Sequence, residues 1–428
     1  MKVLPEPFLI RMQSQLGTQF PAYLAAMEQA PKRALRVNTL KISPESFASC
    51  VDFPLLPTGL LPESFFVPDD VAVGRHPLHA AGLFYMQEPS AQMPVSLLSL
   101  EPGMTVLDLC AAPGGKSGQI AAALQGKGLL VSNEPITSRA NILMYNLERM
   151  GVTNGMVTAM YPDALCQKTE GFFDAVVVDA PCSGEGMFRK DDDAVTDWSP
   201  SHVTACAARQ KQILAAAQLA VKPGGQLLYS TCTFSPAENE DMADWFVSVY
   251  PAFHLVTTRR MYPHDSVGEG QFAALFVRDG ARLPSHCSIF PEKRCIPFEA
   301  FCKENLSAVP AQKTRQLPDG RVLLLPDILP PNWDKLHVLR CGVLAGELKK
   351  DRFMPDHALF LSRPADAFFS TVELTTSQLA AYYAGEVLPC DPTLSGWCAV
   401  SVQGYVTGFG KAVDGQLKNH YPKGLRLR

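Results

Sequence analysis

Two cysteines of this 428-residue chain stand where a nucleophile would be useful. Cys182 lies in Asp179-Ala180-Pro181-Cys182-Ser183-Gly184-Glu185-Gly186, and Cys232 in Tyr229-Ser230-Thr231-Cys232-Thr233. Each follows a run of β-forming residues, and in doubly wound sheets ligands bind beyond the carboxyl ends of the strands. A thiolate adds to an electrophilic carbon and divides one difficult reaction into easier steps through a covalent intermediate. Asp179, beside them, is a carboxylate able to hold or pass a proton. A lone cysteine after a strand usually only packs. Two such cysteines on adjacent strand ends are rarer.

A third element is Asp108-Leu109-Cys110-Ala111-Ala112-Pro113-Gly114-Gly115-Lys116-Ser117. It joins a strand pattern to a helix pattern, and its two glycines let backbone approach a ligand closely at a helix N-terminus. It is neither a G-x-G-x-x-G fingerprint nor a P-loop, whose upstream glycine is missing. Alone, it reads equally well as a tight strand–helix turn. Glu134 ends the next strand, where Rossmann-type folds place an acid against a ribose diol. Its other reading is an acid opening a helix before Pro135. Turn and acid together point to a nucleoside cofactor.

The elements that must position these residues alternate. Strand patterns cover residues 105–110, 128–133, 155–160, 173–178 and 226–230, with helix patterns at 117–124, 138–150 and 209–221. Such alternation predicts an α/β fold with a parallel sheet and right-handed crossovers. Strands near 253–256 and 272–277 complete it. In the usual strand order the first, fourth and fifth are neighbours, which gathers the glycine turn, Asp179, Cys182 and Cys232 at one cleft. Before this region come an amphipathic helix over 6–28 and a strand over 36–40. After the Arg278-Asp279-Gly280 turn, Pro284, Pro291, Pro297 and Pro310 interrupt the pattern, and the chain ends in strands at 396–402 and 404–408. Three parts are expected, over 1–75, 76–282 and 283–428.

Composition narrows the class. Charged residues make up 19% and the hydrophobic set 47%, the balance of a soluble chain with real cores. No apolar run is long enough to span a bilayer and the N-terminus has no secretory apolar segment, so a cytosolic protein is expected. The 12 cysteines are scattered without a Cys-x-x-Cys pair, which argues against zinc and against a disulfide framework. No metal site is expected. A net charge of −4 counts against a globally basic nucleic-acid binder. Basic residues nevertheless collect at both ends, as Lys32, Arg33, Arg36 and Lys41, and as Lys411, Lys418, Lys423, Arg426 and Arg428. Tyr405, Phe409 and Tyr421 near the second cluster offer stacking faces.

Three of these segments, in this order, resemble the RNA cytosine-C5 methyltransferases of the Sun/Nop family. They are the Asp108–Ser117 turn, Asp179-Ala180-Pro181-Cys182-Ser183-Gly184-Glu185-Gly186-Met187-Phe188-Arg189-Lys190, and the Tyr229–Thr233 segment. Pro263-His264, Gly268-Glu269-Gly270-Gln271-Phe272 and the tail from Lys418 to Arg426 are similar to the small-subunit rRNA methyltransferase F branch of that family. The resemblance covers most of the chain and is weakest over 281–388. It implies a Rossmann-like class I methyltransferase sheet, a small N-terminal α+β module facing RNA, and a mostly β, PUA-like C-terminal domain. It also implies S-adenosyl-L-methionine as cofactor, RNA of the small ribosomal subunit (16S rRNA) as partner, and a monomer that engages no DNA, membrane or metal.

Residue by residue, the resemblance makes Cys232 the nucleophile and Cys182 the thiol that assists product release. DNA cytosine methylases use the cysteine of a Pro-Cys motif instead, so Thr231-Cys232-Thr233 selects the RNA family. Ala111, Ala112, Pro113, Gly114, Gly115, Lys116 and Ser117 wrap the methionine part of the cofactor, and Glu134 binds its ribose. Asp179 serves the cofactor or the cytosine. Asp163 occupies the place of an adenine-side acid, but Tyr161-Pro162-Asp163-Ala164-Leu165 departs from the family pattern and reads equally as a loop. Lys190 faces RNA phosphate or only solvent. Two competing readings are the same chemistry on tRNA and a non-catalytic rRNA-binding assembly factor.

Overall fold

A computed structural model of the chain describes residues 4–282, 294–350 and 352–426. Pro284, Pro291, Arg428 and the expected boundary at 283 lie outside the described residues. The central sheet has eight strands, numbered here in chain order: β1 Thr105–Asp108, β2 Leu129–Asn133, β3 Gly155–Thr158, β4 Phe173–Asp179, β5 Val221–Thr231, β6 Phe253–Met261, β7 Gln271–Arg278 and β8 Val338–Cys341. Their spatial order is β6-β7-β5-β4-β1-β2-β3-β8. The pairs β4–β5, β4–β1, β1–β2 and β2–β3 are parallel, whereas β6, β7 and β8 join antiparallel. The first, fourth and fifth strands are therefore neighbours, as the sequence order implied.

Strands this apolar on both faces must be covered on both faces. On one side Leu107, Val176 and Leu227 pack against Leu214 and Ala217 of a helix at Pro200–Ala220 and Met242 and Phe246 of another at Glu240–Val249. On the other side Val106, Val177 and Leu228 meet Ile120 and Leu124 of the Gly115–Leu124 helix and Leu143 of Thr137–Arg149. Three elements differ from expectation. The Pro200–Ala220 helix starts nine residues before 209, opened by Ser199, whose side chain accepts from His202 N at 3.1 Å, with Pro200 in the first turn. β5 begins at Val221, so the chain passes directly from helix to strand. β8 comes from the C-terminal region and was not foreseen.

The flanking parts are also ordered. The single helix expected over 6–28 is two, Glu6–Leu16 and Phe20–Met27, broken at Gly17 with φ 52°. The first strand is Ala34–Val37, and Asn38 turns the chain away, its amide donating to Gly82 O and Met150 O, both at 2.8 Å. A strand at Phe84–Met86 pairs with Ala34–Val37, so the N-terminal sheet continues beyond residue 75. The C-terminal region holds a four-stranded sheet and a five-stranded one, the latter built around Gly396–Val402 and Tyr405–Val413. Leu35, Phe47 and Phe84 of the N-terminal module share one hydrophobic cluster with Tyr382, Val400, Leu417 and Tyr421 of the last sheet. Among the described residues, no helix is long and apolar enough to cross a membrane.

Candidate active site

Beyond the carboxyl ends of β1, β2, β4 and β5 lies a cavity of about 860 Å³ whose lining includes Ala112, Glu134, Asp163, Asp179, Cys182 and Cys232. The Sγ atoms of Cys182 and Cys232 are 3.4 Å apart. Several short links hold the two loops at this spacing. Gly186 N donates to Cys232 O at 2.8 Å, and the hydroxyls of Ser183 and Thr233 meet at 2.7 Å. A Cβ on residue 186 would stand 2.7 Å from Cys232 O, so only glycine permits that approach. Two wholly buried carboxylates brace the loops reciprocally. Glu238, past Cys232, accepts from Ser183 N at 3.0 Å and from Gln210 Nε2 at 2.8 Å. Glu185, past Cys182, accepts from Phe234 N at 3.0 Å.

Contact with the Cys232 sulfur, then burial, then the nearby Cys232 and Glu238 charges, hold the Cys182 thiol well above the ordinary cysteine range. Either sulfur can be the donor in the contact that joins the pair. Asp179, about a third exposed, binds Lys116 Nζ at 2.8 Å through one oxygen and accepts from Ser230 Oγ at 2.7 Å through the other. Lys116 therefore reaches the end of β4 from the glycine turn.

The turn itself works mostly from behind the cavity wall. Gly114 caps the Gly115–Leu124 helix at φ 113°, and a Cβ there would crowd Leu143 at 3.1 Å. Ala112 lines the cavity, whereas Gly114, Lys116 and Ser117 are buried. Ser117 Oγ donates to Asp108 Oδ2 at 2.6 Å, and the other Asp108 oxygen is buried with no hydrogen-bond partner. Burial pushes this carboxyl up to about 7, against the opposing hydrogen bond from Ser117. A bare buried carboxylate oxygen close to Asp179 and Lys116 is an environment that a cationic ligand would complete.

Glu134 opens the helix that follows β2, the second of its two readings. It accepts from Ile136 N at 3.0 Å, pairs with Arg139 at 3.0 Å and also lines the cavity. Asp163 is exposed in the first turn of the Pro162–Lys168 helix and lines the same cavity. Arg209 and Gln212 enter the lining from the Pro200–Ala220 helix, two polar groups the sequence reading passed over. Lys190 is exposed and borders a separate groove of about 360 Å³ with Lys32, Arg33 and Arg189.

The N-terminal basic cluster requires a correction. Arg36 is 3% exposed, bonded to Gln87 Oε1 and at 2.9 Å to Gly115 O. Lys41 donates to Ala81 O at 2.8 Å and Arg149 O at 3.1 Å, and burial, followed by the Arg149 charge, lowers its pKa to about 7. Both are struts between the module and the central domain rather than surface charges. The stacking faces expected at the C-terminus are corrected too. Phe409 and Tyr421 are buried in hydrophobic clusters, and Tyr405 is half-buried, while Lys411, Lys418 and Lys423 remain exposed.

With the cavity and its strands in place, comparison with known proteins gives consistent results. The family model described as 16S rRNA methyltransferase RsmB/F matches residues 95–294. The models for the RsmF N-terminal domain, first C-terminal domain and PUA domain match 4–89, 300–362 and 369–427. Among solved structures, a methyltransferase homolog from Pyrococcus horikoshii superposes with TM-score 0.56 at 25% identity, over 64% of this chain and 100% of that one. NSun6 from Pyrococcus horikoshii, solved with SFG, shares the fold at TM-score 0.59 and 19% identity, over 65% and 99%. The fold is thus that of a methyltransferase. Ribosomal RNA small subunit methyltransferase F of Vibrio vulnificus is 32% identical over 99% of this chain and 97% of its own. That of Klebsiella pneumoniae is 31% identical over 98% and 96%. The chain belongs to the ribosomal RNA small subunit methyltransferase F family.

Proposed function

We propose that this protein transfers a methyl group from S-adenosyl-L-methionine to C5 of a cytosine in 16S rRNA of the small ribosomal subunit. The observation that carries this reading is the pair of thiols 3.4 Å apart on the wall of one large cavity, beside the Asp179–Lys116 ion pair. C5 of cytosine is too weak a nucleophile to accept a methyl group unaided. In this reading Cys232 attacks C6 as the thiolate, and the electrons of the C5–C6 double bond move so that C5 becomes the nucleophile. Asp179, buffered by Lys116 and Ser230, holds a proton at N3 and favours that addition. After methyl transfer a base takes the C5 proton, the C5–C6 double bond re-forms, and the C6–S bond breaks to release the Cys232 thiolate. Cys182, 3.4 Å from Cys232, assists this release.

The donor set fits the cofactor. Glu134 would hold the ribose, Asp163 the adenine side, and the turn from Ala111 to Ser117 the methionine end, with Asp108 and Asp179 supplying negative charge nearby. When bound, S-adenosyl-L-methionine supplies an electrophilic methyl group on a cationic sulfur. The division at 1–75, 76–282 and 283–428 belongs to this proposal, with the outer parts gripping RNA through shape and phosphate contact. Lys190, Lys411, Lys418 and Lys423 are the exposed cations offered for that contact. A monomer acting on RNA rather than DNA completes the reading.

Bisulfite mapping of 16S rRNA from cells with and without the protein tests the assignment, joined by transfer of labelled methyl groups to purified small subunits. Loss of one rRNA 5-methylcytosine is the expected result. Unchanged rRNA with missing tRNA 5-methylcytosine would move the substrate to tRNA. Binding of rRNA without transfer to any RNA would leave an assembly factor.

A further inference from the structure

Glu185 sits in the Cys182 loop, yet its carboxylate acts on three other segments. One oxygen accepts from Phe234 N at 3.0 Å, two residues beyond Cys232, and meets Arg11 Nη2 at 2.6 Å. The other accepts from Trp198 Nε1 at 2.9 Å. Glu185 is wholly buried, so its charge needs the Arg11 guanidinium as counter-ion; two neutral donors alone would leave it costly. Arg11 belongs to the Glu6–Leu16 helix of the N-terminal module. That helix touches both cysteine loops. Phe8 packs edge-on against Phe188 at 5.0 Å, and Gln15 Nε2 donates to Phe234 O at 3.1 Å. The helix lies across the two loops like a splint, and Glu185 is where the splint is fastened.

We infer that Glu185 is a positioning residue which, clamped by Arg11, sets the spacing of the Cys182 and Cys232 sulfurs, so that docking of the N-terminal module tunes the thiol pair. The inference rests on the proposed thiol chemistry for its catalytic meaning, but the spacing itself is testable without RNA. Removing the clamp lets the two loops drift apart. A displacement of about 1 Å at reacting groups costs up to about 100-fold in rate. It also weakens the sulfur–sulfur contact that keeps Cys182 protonated.

The experiment compares the wild-type protein with Glu185→Gln, Arg11→Met, the double variant, and Asp174→Asn as a destabilised control at the opposite end of β4. Alkylation of each cysteine by iodoacetamide is followed against pH by peptide mass spectrometry on the RNA-free protein. Methyl transfer kinetics are measured in parallel. In Glu185→Gln and Arg11→Met, Cys182 should react at lower pH, by about one unit. kcat should fall at least about tenfold with KM for RNA nearly unchanged. The double variant should be no worse than the poorer single one, because both break one clamp. Asp174→Asn should leave profile and kcat as they were. An unshifted Cys182 profile in folded Arg11→Met, additive losses, or the same shift in Asp174→Asn would overturn the inference. Should Glu185→Gln fail to fold, Arg11→Met carries the comparison, its side chain being partly exposed. A wild-type protein that methylates no RNA would sink the proposed function, while the alkylation profiles would still decide the clamp.

Discussion

Strand β4 carries an aspartate near each end, and the two are treated in opposite ways. Asp174 is 3% exposed and fully engaged. Its oxygens take Thr105 N at 2.7 Å, Thr105 Oγ1 at 2.8 Å, Lys222 Nζ at 3.0 Å and Arg282 Nε at 3.1 Å. Burial would raise its pKa, but these hydrogen bonds and the Lys222 charge win and hold the carboxyl below the ordinary range. Asp179, five residues further along β4 and facing the cavity, has one cation, one hydroxyl and a long contact from the Gln271 amide at 3.5 Å. Behind it Asp108 keeps one oxygen bare. One edge of the sheet saturates its carboxylates and gains stability; the other leaves them short of partners, as a site awaiting charged ligands must.

The contrast can be broken at several points. The largest effect is expected at the unsaturated end: Cys232→Ala should lower methyl transfer by about 10⁴-fold or more, measured with labelled donor, while thermal stability stays near wild type. Cys182→Ala should slow turnover about 100-fold and leave RNA covalently attached, visible as a retarded band on a denaturing gel. Exchange of these two phenotypes would reverse the thiol roles. At the saturated end the signature inverts. Asp174→Asn should cost about 3 kcal/mol in urea unfolding, because it breaks the buried ion pair with Lys222, while activity per folded molecule is retained. Since the Asp174 pKa is depressed in the fold, its stabilisation is complete above the unfolded value of about 4 and fades as pH falls through and below it.

Asp108 has the opposite sign. Its carboxyl titrates near 7 in the fold and near 3.8 when unfolded, so the folded protein binds the extra proton between those values and loses stability as pH rises through that window. Asp108→Asn should flatten the dependence, a difference on the order of 2–3 kcal/mol between pH 5 and pH 8. The smallest effect concerns the surface. Replacing Lys411 and Lys418 by alanine should weaken RNA binding a few-fold and reduce the salt slope by about two.

Legibility in the sequence followed the range of the interactions. The glycine turn and both cysteine loops are contiguous segments whose geometry is local, so residue types alone marked them, and β4 announced itself as Val176-Val177-Val178. The start of the Pro200–Ala220 helix was missed although Ser199 and Pro200 signal it, because Val203, Cys206 and Ala207 make only a thin apolar stripe of small side chains over residues 201–208. β8 finds its partner β3 only through a chain separation of about 180 residues, which no local pattern encodes. The Lys116–Asp179 pair and the Glu185 and Glu238 braces are likewise long-range. Charge misled at Arg36 and Lys41, because composition records a cation but not whether backbone carbonyls will surround it.

The cluster that joins Leu35, Phe47 and Phe84 to Tyr382, Val400 and Leu417 has an evolutionary corollary. Neither end of the polypeptide could have been gained or discarded alone without baring a greasy surface on the other. Homologues that lack the last sheet should therefore show hydrophilic side chains where Phe47 and Phe84 stand, and a deletion that removes the tail here should send the first hundred residues into aggregates.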